Sequence, residues 1–292
     1  MADPSPNTAI VTGASRGLGA AIASHFARRG WSLGLCARGR SDLESTAERV
    51  RRAGASAVFA DAIDIVDAEG VAEFAHAVEA SIGPVRLVVN NAAVFGPVGP
   101  LADINLQHWH NTMATGAGGT ANVIAAFWPQ LDRVGNGRIV NLSGGGLGGP
   151  GLVGNASAYA ASKAAVVVLT EALAPEVAGI GATINAVAPG ALPTGFMDEA
   201  LAAGPDRAGH DLYESAEALR RRDEGVEPPD RLVALIEFLL EPANSWLNGC
   251  VLSARWDTPE RLLEQRKNIE AGDRCRLRRI DGDLYTEVDR RA

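Results

Sequence analysis

Short β-prone apolar runs alternate with longer helical stretches along most of the chain. The predicted strands are residues 9–12, 32–37, 57–60, 87–90, 138–142, 183–187 and 250–253. The predicted helices are residues 20–29, 41–52, 71–81, 119–133, 159–178 and 231–240. Alternation of this kind is typical of parallel strands joined by right-handed helical crossovers. It predicts an α/β, doubly wound, three-layer fold around a mostly parallel sheet of seven strands.

Two segments interrupt this regular pattern. No repeat, linker or change of composition divides residues 1–255, so these residues are expected to form one domain. Within it, residues 191–229 are polar and rich in turn formers, which predicts a mobile lid beside a ligand. Residues 256–292 form a charged, arginine-rich C-terminal tail whose basic run at 274–279 is interpreted as a solvated or interface face. Trp256, at the start of this tail, is expected to pack against the core.

Composition narrows the class of protein. The 292 residues are 47% apolar, which is enough to bury a large core. A net charge of −8 argues against a nucleic-acid partner or an anionic membrane surface. The three cysteines are widely spaced and the five histidines have no metal-ligand spacing, so neither a disulfide framework nor a metal site is expected. Without a signal sequence or a membrane-length apolar run, the protein is expected to be cytoplasmic.

A glycine-rich turn joins the first predicted strand to the first predicted helix. From Thr12 it reads Thr-Gly-Ala-Ser-Arg-Gly-Leu-Gly. Glycines let the backbone approach a pyrophosphate, and the free N–H groups of the following helix stabilise its charge. The alternative, a merely flexible turn, is weaker because a strand precedes the motif and a helix follows it. The turn therefore predicts dinucleotide binding by Gly13, Ser15, Arg16, Gly17, Leu18 and Gly19.

The choice between NAD(H) and NADP(H) depends on the end of the second predicted strand. NAD-binding proteins commonly carry a carboxylate there for the ribose 2′-hydroxyl. This chain instead has Arg38 and Arg40 at that point, with Arg16 in the glycine turn. Planar guanidinium groups suit a 2′-phosphate, so NADP(H) is expected, with NAD(H) the lesser alternative. Arg40 has a realistic alternative as a solvated surface residue.

Tyr159 and Lys163 are four residues apart on one predicted helix, so they share a face. The chain contains only two lysines, and arginine is its usual cation, which suggests that Lys163 is retained for a compact ammonium. A nearby cation is expected to lower the pKa of Tyr159 toward neutrality and make it a general acid or base. The alternative is an amphipathic helix whose first turn is anchored by a tyrosine.

Together these motifs resemble the short-chain dehydrogenase/reductase (SDR) family of Rossmann-fold, NAD(P)-dependent oxidoreductases. Three further motifs agree in order: Asp64-Ile65, Asn90-Asn91-Ala92-Ala93, and Pro189-Gly190 followed by Thr194. The resemblance implies adenine contacts at Asp64 and Ile65, and further cofactor contacts at Asn91, Ala92, Pro189, Gly190, Leu192 and Thr194. It also implies hydride transfer between NADP(H) and a small-molecule carbonyl or alcohol. Tyr159 would move the proton, Lys163 would hold the nicotinamide ribose, and long helices would build a homodimer or homotetramer.

Two departures from the family pattern fall on chemically important positions. The family's carbonyl-positioning serine corresponds to Gly144, and Ser143 is expected to replace it. The family's asparagine, which supports a helix kink and a proton relay, corresponds to Gly116, and restoring asparagine there is expected to speed proton resupply. These departures keep two alternatives open: a dinucleotide-binding regulatory protein with little redox turnover, and a repurposed enzyme with non-redox chemistry.

Overall fold

The computed structural model describes residues 7–144, 147, 152–190, 195–221, 230–272 and 274–277. Its strands are β1 (Thr8–Thr12), β2 (Ser32–Ala37), β3 (Val58–Ala62), β4 (Leu87–Asn90), β5 (Arg138–Leu142), β6 (Thr183–Ala188) and β7 (Val251–Ser253). They form one sheet in the order β3-β2-β1-β4-β5-β6-β7, and every neighbouring pair is parallel. The predicted doubly wound α/β class is confirmed.

Helices cover both faces of this sheet. They are α1 (Gly17–Ala27), α2 (Arg40–Arg52), α3 (Ala68–Ile82), α4 (Leu106–Met113), α5 (Gly119–Val134), α6 (Ser157–Gly179), α7 (Gly195–Ala208), α8 (His210–Arg220), α9 (Asp230–Leu240), α10 (Pro259–Glu264) and α11 (Arg266–Glu270). Helices α1, α2 and α9 pack on one face, and α3, α5 and α6 on the other. The result is the three-layer arrangement that the sequence predicts.

The strands are mostly apolar because helices cover both faces of the sheet, although β5 and β6 also bury the polar residues Arg138, Asn141 and Asn185. In β1, Val11 packs with α1 and α2, whereas its neighbour Ile10 packs with α3 on the opposite face. In β4, Val89 and Val88 divide between the two faces in the same way. Successive strand residues point to opposite faces, so a sheet covered on both sides has apolar residues in succession along its strands, without the alternation of a sheet that has one solvent face.

The segment before α5 holds two elements that the hydrophobic pattern does not predict. Helix α4 buries only Thr112, so it has no apolar stripe to reveal it. Asn105 begins this helix by accepting hydrogen bonds from the backbone N–H groups of Gln107 and His108 at 2.8 and 3.2 Å. A π-helical turn, Ala114–Gly118, then joins α4 to α5 and contains the buried Gly116. Such turns are frequent at functional sites.

The described part of the predicted lid consists of α7 and α8. Their buried faces, including Ala208 and Leu212, pack with Phe95 in a third apolar cluster beside the sheet. Gly204, at φ 75°, interrupts α7, so this helix is two helical pieces joined at a kink. Residues 191–194 and 222–229 of the predicted lid lie outside the described residues.

The described part of the C-terminal tail packs on the domain. Leu262 of α10 and Ile269 of α11 are buried in the same core as β7. Farther along, the carbonyl of Cys275 accepts a hydrogen bond of 2.8 Å from the N–H of Val251. This contact places the tail against the outer edge of the sheet.

Among the described helices, α6 is long and apolar enough to cross a membrane by length and composition alone. It also buries polar side chains, namely Ser162, Lys163 and Thr170, within the protein. Thr170 accepts a hydrogen bond of 2.9 Å from Asn141 of β5. Such polar contacts are those of a core helix, because each buried polar group finds a partner inside the fold.

Candidate active site

One large cavity opens at the carboxyl ends of the strands, and residues that follow each of the seven strands contribute to its wall. Its volume of about 1410 Å³ exceeds the roughly 300–1,000 Å³ typical of a single-ligand pocket. Every predicted site residue lines this cavity except Gly19, Leu192 and Thr194. Leu192 and Thr194 lie outside the described residues. The cavity therefore brings the glycine turn and the Tyr159–Lys163 pair into one site.

The glycine turn needs glycine for two different reasons. Gly13 and Gly17 have φ values of 64° and 56°, which side chains rarely adopt. A Cβ at Gly13 would also lie 2.8 Å from Cα of Ala92, whereas the space beside Gly17 is open. Gly19 does not line the cavity, and a Cβ there would collide with the Gly13 carbonyl and with Asn91. Gly19 thus allows α1 to pack beneath the turn.

Asn91, which follows β4, holds the glycine turn in place through hydrogen bonds. Its side-chain Nδ2 donates to the carbonyls of Thr12 and Gly13 at 2.8 and 3.2 Å. In return, the backbone N–H groups of Asn91 and Ala92 both donate to the Thr12 hydroxyl at 3.0 Å. These bonds hold the end of β1 against the end of β4, so the protein's own hydrogen bonds fix the shape of the cradle.

The three candidate arginines lie in different surroundings. Arg38 is exposed and lines the cavity. Arg40 does not line it and instead pairs with Asp61 at 3.1 Å and with Glu44 at 3.9 Å. For Arg40 the structure thus agrees with the surface alternative.

Arg16 lines the cavity but lies against the lid. A Cβ built on Gly195, the first residue of α7, would be 3.6 Å from the Arg16 guanidinium carbon. The nearby charge of Arg16 also lowers the pKa of Glu199 in α7, although burial outweighs it and the net shift is upward. Sequence reasoning also missed a carboxylate, since Asp42 in the first turn of α2 lines the cavity beside Arg38.

Lys163 and Tyr159 face the end of β5 from the first turns of α6. The Lys163 ammonium donates to the carbonyl of Leu142, the last residue of β5, at 2.7 Å. It lies 5.9 Å from the centre of the Tyr159 ring. This is the only hydrogen bond of the ammonium within the described residues, and an ammonium has three donors. The two remaining donors are available to a ligand in the cavity.

Burial shifts the pKa values of this pair in opposite directions. It lowers the pKa of Lys163 to about 8 and raises the pKa of Tyr159 to about 12, because each neutral form is favoured away from water. The prediction that the Lys163 charge brings the tyrosine pKa toward neutrality is therefore wrong for the protein alone, where desolvation dominates. Tyr159 holds its proton at neutral pH.

The family serine position faces the Tyr159 hydroxyl. A Cβ at Gly144 would lie 2.7 Å from this hydroxyl oxygen, so a side chain at residue 144 would require the Tyr159 hydroxyl to shift. The preceding Ser143 is buried and its N–H donates to the Val187 carbonyl at 2.9 Å. Ser143 lines the cavity, and its buried Oγ has no hydrogen-bond partner among the described residues. A buried hydroxyl without a partner is unfavourable by about 1–3 kcal/mol, and a ligand can relieve this.

Gly116 packs against the helix that carries the tyrosine and lysine. A Cβ at Gly116 would be 2.7 Å from Cβ of Ser162, which precedes Lys163. The Gly116 carbonyl accepts a hydrogen bond of 2.6 Å from Thr120. The prediction that asparagine at residue 116 would speed proton resupply is therefore not supported, since the larger side chain would displace Ser162.

An aromatic and aliphatic wall, which sequence reasoning missed, covers the other side of Tyr159. The Phe95 ring lies 5.0 Å from the Tyr159 ring, centre to centre, at 40°. Met197 and Leu212 from the two lid helices continue this wall. Only Phe95 has a sequence signal, because it closely follows the Asn-Asn-Ala-Ala motif.

The turn after β7 supplies the remaining edge of the cavity with Arg255 and Trp256. Trp256 is 53% exposed, so the expectation that it packs against the core is wrong. The backbone here turns back on Ser253, which directs the side chains of residues 255 and 256 outward. No group of three or more potential metal ligands comes together within the described residues.

Comparison with known proteins identifies the family of this chain. The family model described as short chain dehydrogenase matches residues 7–203. The chain therefore belongs to the short-chain dehydrogenase/reductase family, whose members bind NAD(P) and act on small molecules.

Several relatives are similar over much of the chain. The short chain dehydrogenase mpl6 of Monascus purpureus is 33% identical over 93% of this chain and 88% of its own length. The 3-oxoacyl-[acyl-carrier-protein] reductase FabG of Staphylococcus aureus is 34% identical over 65% of this chain and 76% of its own. A variant of the actinorhodin polyketide ketoreductase, solved with NADPH, superposes with a TM-score of 0.73. It is 29% identical over 87% of this chain and 97% of its own.

Proposed function

We propose that the protein reduces a ketone or aldehyde with NADP(H), or oxidises the matching alcohol, and that Tyr159 transfers the proton. The observation that carries this proposal is the pair formed by the partly buried Tyr159 and the buried Lys163, at the same sheet edge as the glycine turn. Tyr159 is protonated at neutral pH because burial raises its pKa to about 12. A protonated phenol is the state that donates to a carbonyl oxygen during reduction.

The described residues fit a dinucleotide. The glycine turn presents the N-terminus of α1 without an acidic residue in its first turn, as an anion requires. At the other end of the cavity, two unused Lys163 donors suit ribose hydroxyls. When bound with its nicotinamide near Tyr159, NADPH would supply the hydride for the carbonyl carbon.

Tyr159 and Lys163 then carry out the proton transfer. The Tyr159 hydroxyl gives its proton to the carbonyl oxygen, which becomes the alcohol, and the Lys163 ammonium stabilises the phenolate left behind. A proton from solvent restores Tyr159. Phe95 and the lid helices exclude water from one side of this hydroxyl, which strengthens the interaction between Lys163 and the phenolate. Ser143, with its unpartnered Oγ, is the candidate to orient the carbonyl.

The experiment is a fluorescence titration with NADPH and NADH, followed by turnover of NADPH with a panel of ketones and aldehydes. The wild type should bind NADPH and consume it with at least one carbonyl compound. Tyr159→Phe should keep NADPH binding and lower turnover by about 10²- to 10⁴-fold, since it lacks the proton. Turnover unchanged by this substitution would disprove the role of Tyr159.

The NADP(H) preference is supported by Arg38, which lines the cavity with no carboxylate at the end of β2. Arg38→Asp should therefore shift the ratio of kcat/KM values toward NADH. Arg40→Ala is the matched control, because Arg40 pairs with Asp61 and lies outside the cavity wall. An unchanged ratio in Arg38→Asp would show that the 2′-phosphate binds elsewhere or that the enzyme uses NAD(H).

A second candidate is a dinucleotide-binding regulator with little redox turnover. The observation that favours it is Gly144, which places no hydroxyl beside Tyr159 at the family serine position. NADPH binding without consumption across the whole carbonyl panel would support this candidate. Ser143→Ala separates the two, because it lowers turnover only if Ser143 orients a carbonyl.

We also propose a homodimer or homotetramer. Leu106 on α4 and Val168 on α6 are large apolar residues that remain exposed in the single chain. Apolar surface of this kind favours association of two copies. Light scattering of the purified protein would give the mass, and a monomer at micromolar concentration would contradict this proposal.

A further inference from the structure

The turn that follows β7 presents two large side chains at the mouth of the cavity. Arg255 and Trp256 both line the cavity and both are exposed. The Arg255 guanidinium carbon lies 4.6 Å from the centre of the Trp256 ring, which is a stacked cation–π arrangement. We name these two residues the Arg–Trp pair.

The backbone beneath the Arg–Trp pair is held in place. The N–H groups of Trp256 and Asp257 donate to the Ser253 carbonyl at 3.0 and 2.8 Å. The Asp257 carboxylate accepts from the Ser253 N–H at 2.7 Å. Arg231 of α9 donates to the Arg255 carbonyl at 3.0 Å. The turn is therefore preorganised, and a ligand loses little binding free energy in ordering it.

The charge of Arg255 has no acidic partner in the part of the chain that the structure describes. No carboxylate lies within ion-pair distance of its guanidinium, and its described side-chain contact is the ring of Trp256. Six other exposed arginines among the described residues pair with glutamate or aspartate, as Arg52 does with Glu48 at 3.0 Å. A planar guanidinium is suited to a carboxylate or a phosphate, and an indole ring beside it offers a flat apolar surface.

The strand order indicates how far the Arg–Trp pair lies from the Tyr159 hydroxyl, the proposed proton donor. The Tyr159 hydroxyl lies at the end of β5, against Gly144, whereas Arg255 follows β7, two strands farther along the sheet. Neighbouring strands are about 4.8 Å apart, so the ends of β5 and β7 beneath these two groups are about 10 Å apart. An extended carbon chain covers that distance with roughly six to eight bonds.

From these observations we infer that the Arg–Trp pair is a specificity determinant that binds an anionic group, a carboxylate or a phosphate, at the far end of the carbonyl substrate. This inference rests on the proposed function, because it places the reacting carbonyl at Tyr159. Met197 and Leu212, from the lid helices that follow β6, would contact the carbon chain between the two ends. The substrate class is thus an extended ketone or aldehyde with one apolar segment and one terminal anion.

The test uses oxooctanoate, with its ketone at the end of the chain far from the carboxylate, its neutral methyl ester, and the corresponding oxoalkyl phosphate. The wild type should show a higher kcat/KM for the acid or the phosphate than for the ester. Which anion is preferred identifies a free acid or a phosphate ester as the source. Arg255→Ala should lower the anion-to-ester ratio about tenfold, as expected for a lost hydrogen bond to a charged group.

Two variants serve as controls. Arg52→Ala removes an exposed arginine far from the cavity and should leave the ratio unchanged. Arg255→Lys keeps the charge without the planar fork and should restore only part of the preference. Equal kcat/KM for anion and ester in the wild type would overturn the inference. So would an Arg255→Ala enzyme that raises the KM for NADPH while its anion-to-ester ratio is unchanged, because Arg255 would then serve the dinucleotide.

A binding measurement separates this inference from the proposed function. Oxooctanoate should quench the tryptophan fluorescence of the wild type, and Trp256→Phe or Arg255→Ala should weaken that quenching. Quenching without any ketone turnover would contradict the proposed reaction and still support the anion site. Turnover without anion-dependent quenching or anion preference would support the reaction and overturn the anion site.

Discussion

A buried cation lies at each end of strand β5: Arg138 of the strand itself at its start, and Lys163 of α6 at its end. The two cations lie in very different surroundings. Arg138 is the first residue of the strand and is almost completely buried. Lys163, equally buried, bonds to the last residue of the strand. The guanidinium of Arg138 donates to the carbonyls of Leu239, Asn136 and Gly137 and to the Ser245 hydroxyl at 2.8, 3.1, 2.9 and 2.9 Å.

The difference separates a structural cation, Arg138, from the candidate functional cation, Lys163. Arg138 uses its donors on the protein, and Arg86 beside it donates to the Leu240 carbonyl at 2.7 Å. Together they cap the C-terminal end of α9, where positive charge is favourable. Lys163 uses one donor and keeps two for the cavity. Burial lowers both pKa values, to about 10 for Arg138 and about 8 for Lys163, so a buried charge alone does not identify a site.

Replacing Arg138, the cation at the start of β5, should have the largest effect on stability. Arg138→Met removes four hydrogen bonds and leaves buried acceptors without donors, so the free energy of unfolding should fall by about 3–5 kcal/mol. Chemical denaturation measures this change. Arg52→Met, at an exposed ion pair, is the control and should change stability by less than about 0.5 kcal/mol. Equal effects of the two substitutions would contradict the capping role.

Replacing Lys163, the cation at the end of β5, should affect turnover instead of stability. Lys163→Met removes the charge that stabilises the phenolate, so kcat should fall about 100-fold or more. Stability should stay the same or rise, because a partly satisfied buried charge is removed. Lys267→Met changes the other lysine, which is exposed, and should leave kcat and stability unaltered. A Lys163→Met enzyme that loses stability but keeps its kcat would reverse the comparison.

The pH dependence of stability tests the shifted pKa of Lys163. Its folded pKa of about 8 lies below the ordinary value of 10.5, so between these pH values the unfolded chain binds more protons. The stability of the wild type relative to Lys163→Met should therefore increase as the pH rises from 8 to 10.5. The expected gain is about 3 kcal/mol, from about 1.4 kcal/mol per pKa unit. A flat difference between the two unfolding free energies would refute the burial effect.

The smallest effect is expected at Gly116, which supports the position of Lys163 through Ser162. Gly116→Ala places a methyl group 2.7 Å from Cβ of Ser162, so stability should fall by about 1–3 kcal/mol. Gly118→Ala is the matched control in the same turn, because nothing lies within 4 Å of that position. Thermal unfolding of the two variants compares them. If Gly118→Ala lowered stability as much as Gly116→Ala, the loss would come from the backbone of the turn and not from the contact with Ser162.

The sequence predicted the parts of the fold whose pattern is local and periodic. The seven strands and the helices between them follow from apolar runs such as β1, which are buried on both faces. Helix α4 escaped prediction because it buries only Thr112 and depends on the cap at Asn105. The packing of Leu262 and Ile269 escaped for another reason, since contacts between the tail and β7 are set by the tertiary fold.

The candidate site shows the same limit. The glycine turn, apart from Gly19, and the Tyr159–Lys163 pair line one cavity, as the family resemblance implies. The direction of the Tyr159 pKa shift was wrong because it depends on burial by Phe95 and the lid, which come from distant parts of the chain. The difference between Arg38 and Arg40 likewise needed the position of Asp61 on β3.

The hydrogen bond between Val251 and Cys275 has a consequence for how the molecule meets other copies of itself. Strand β7 ends the sheet, and a bare terminal strand offers unpaired backbone groups to which another chain can add. The tail occupies that place, with α10 and α11 anchored by buried side chains. A chain that ends before the tail would thus expose the edge strand β7, and we expect such a chain to aggregate.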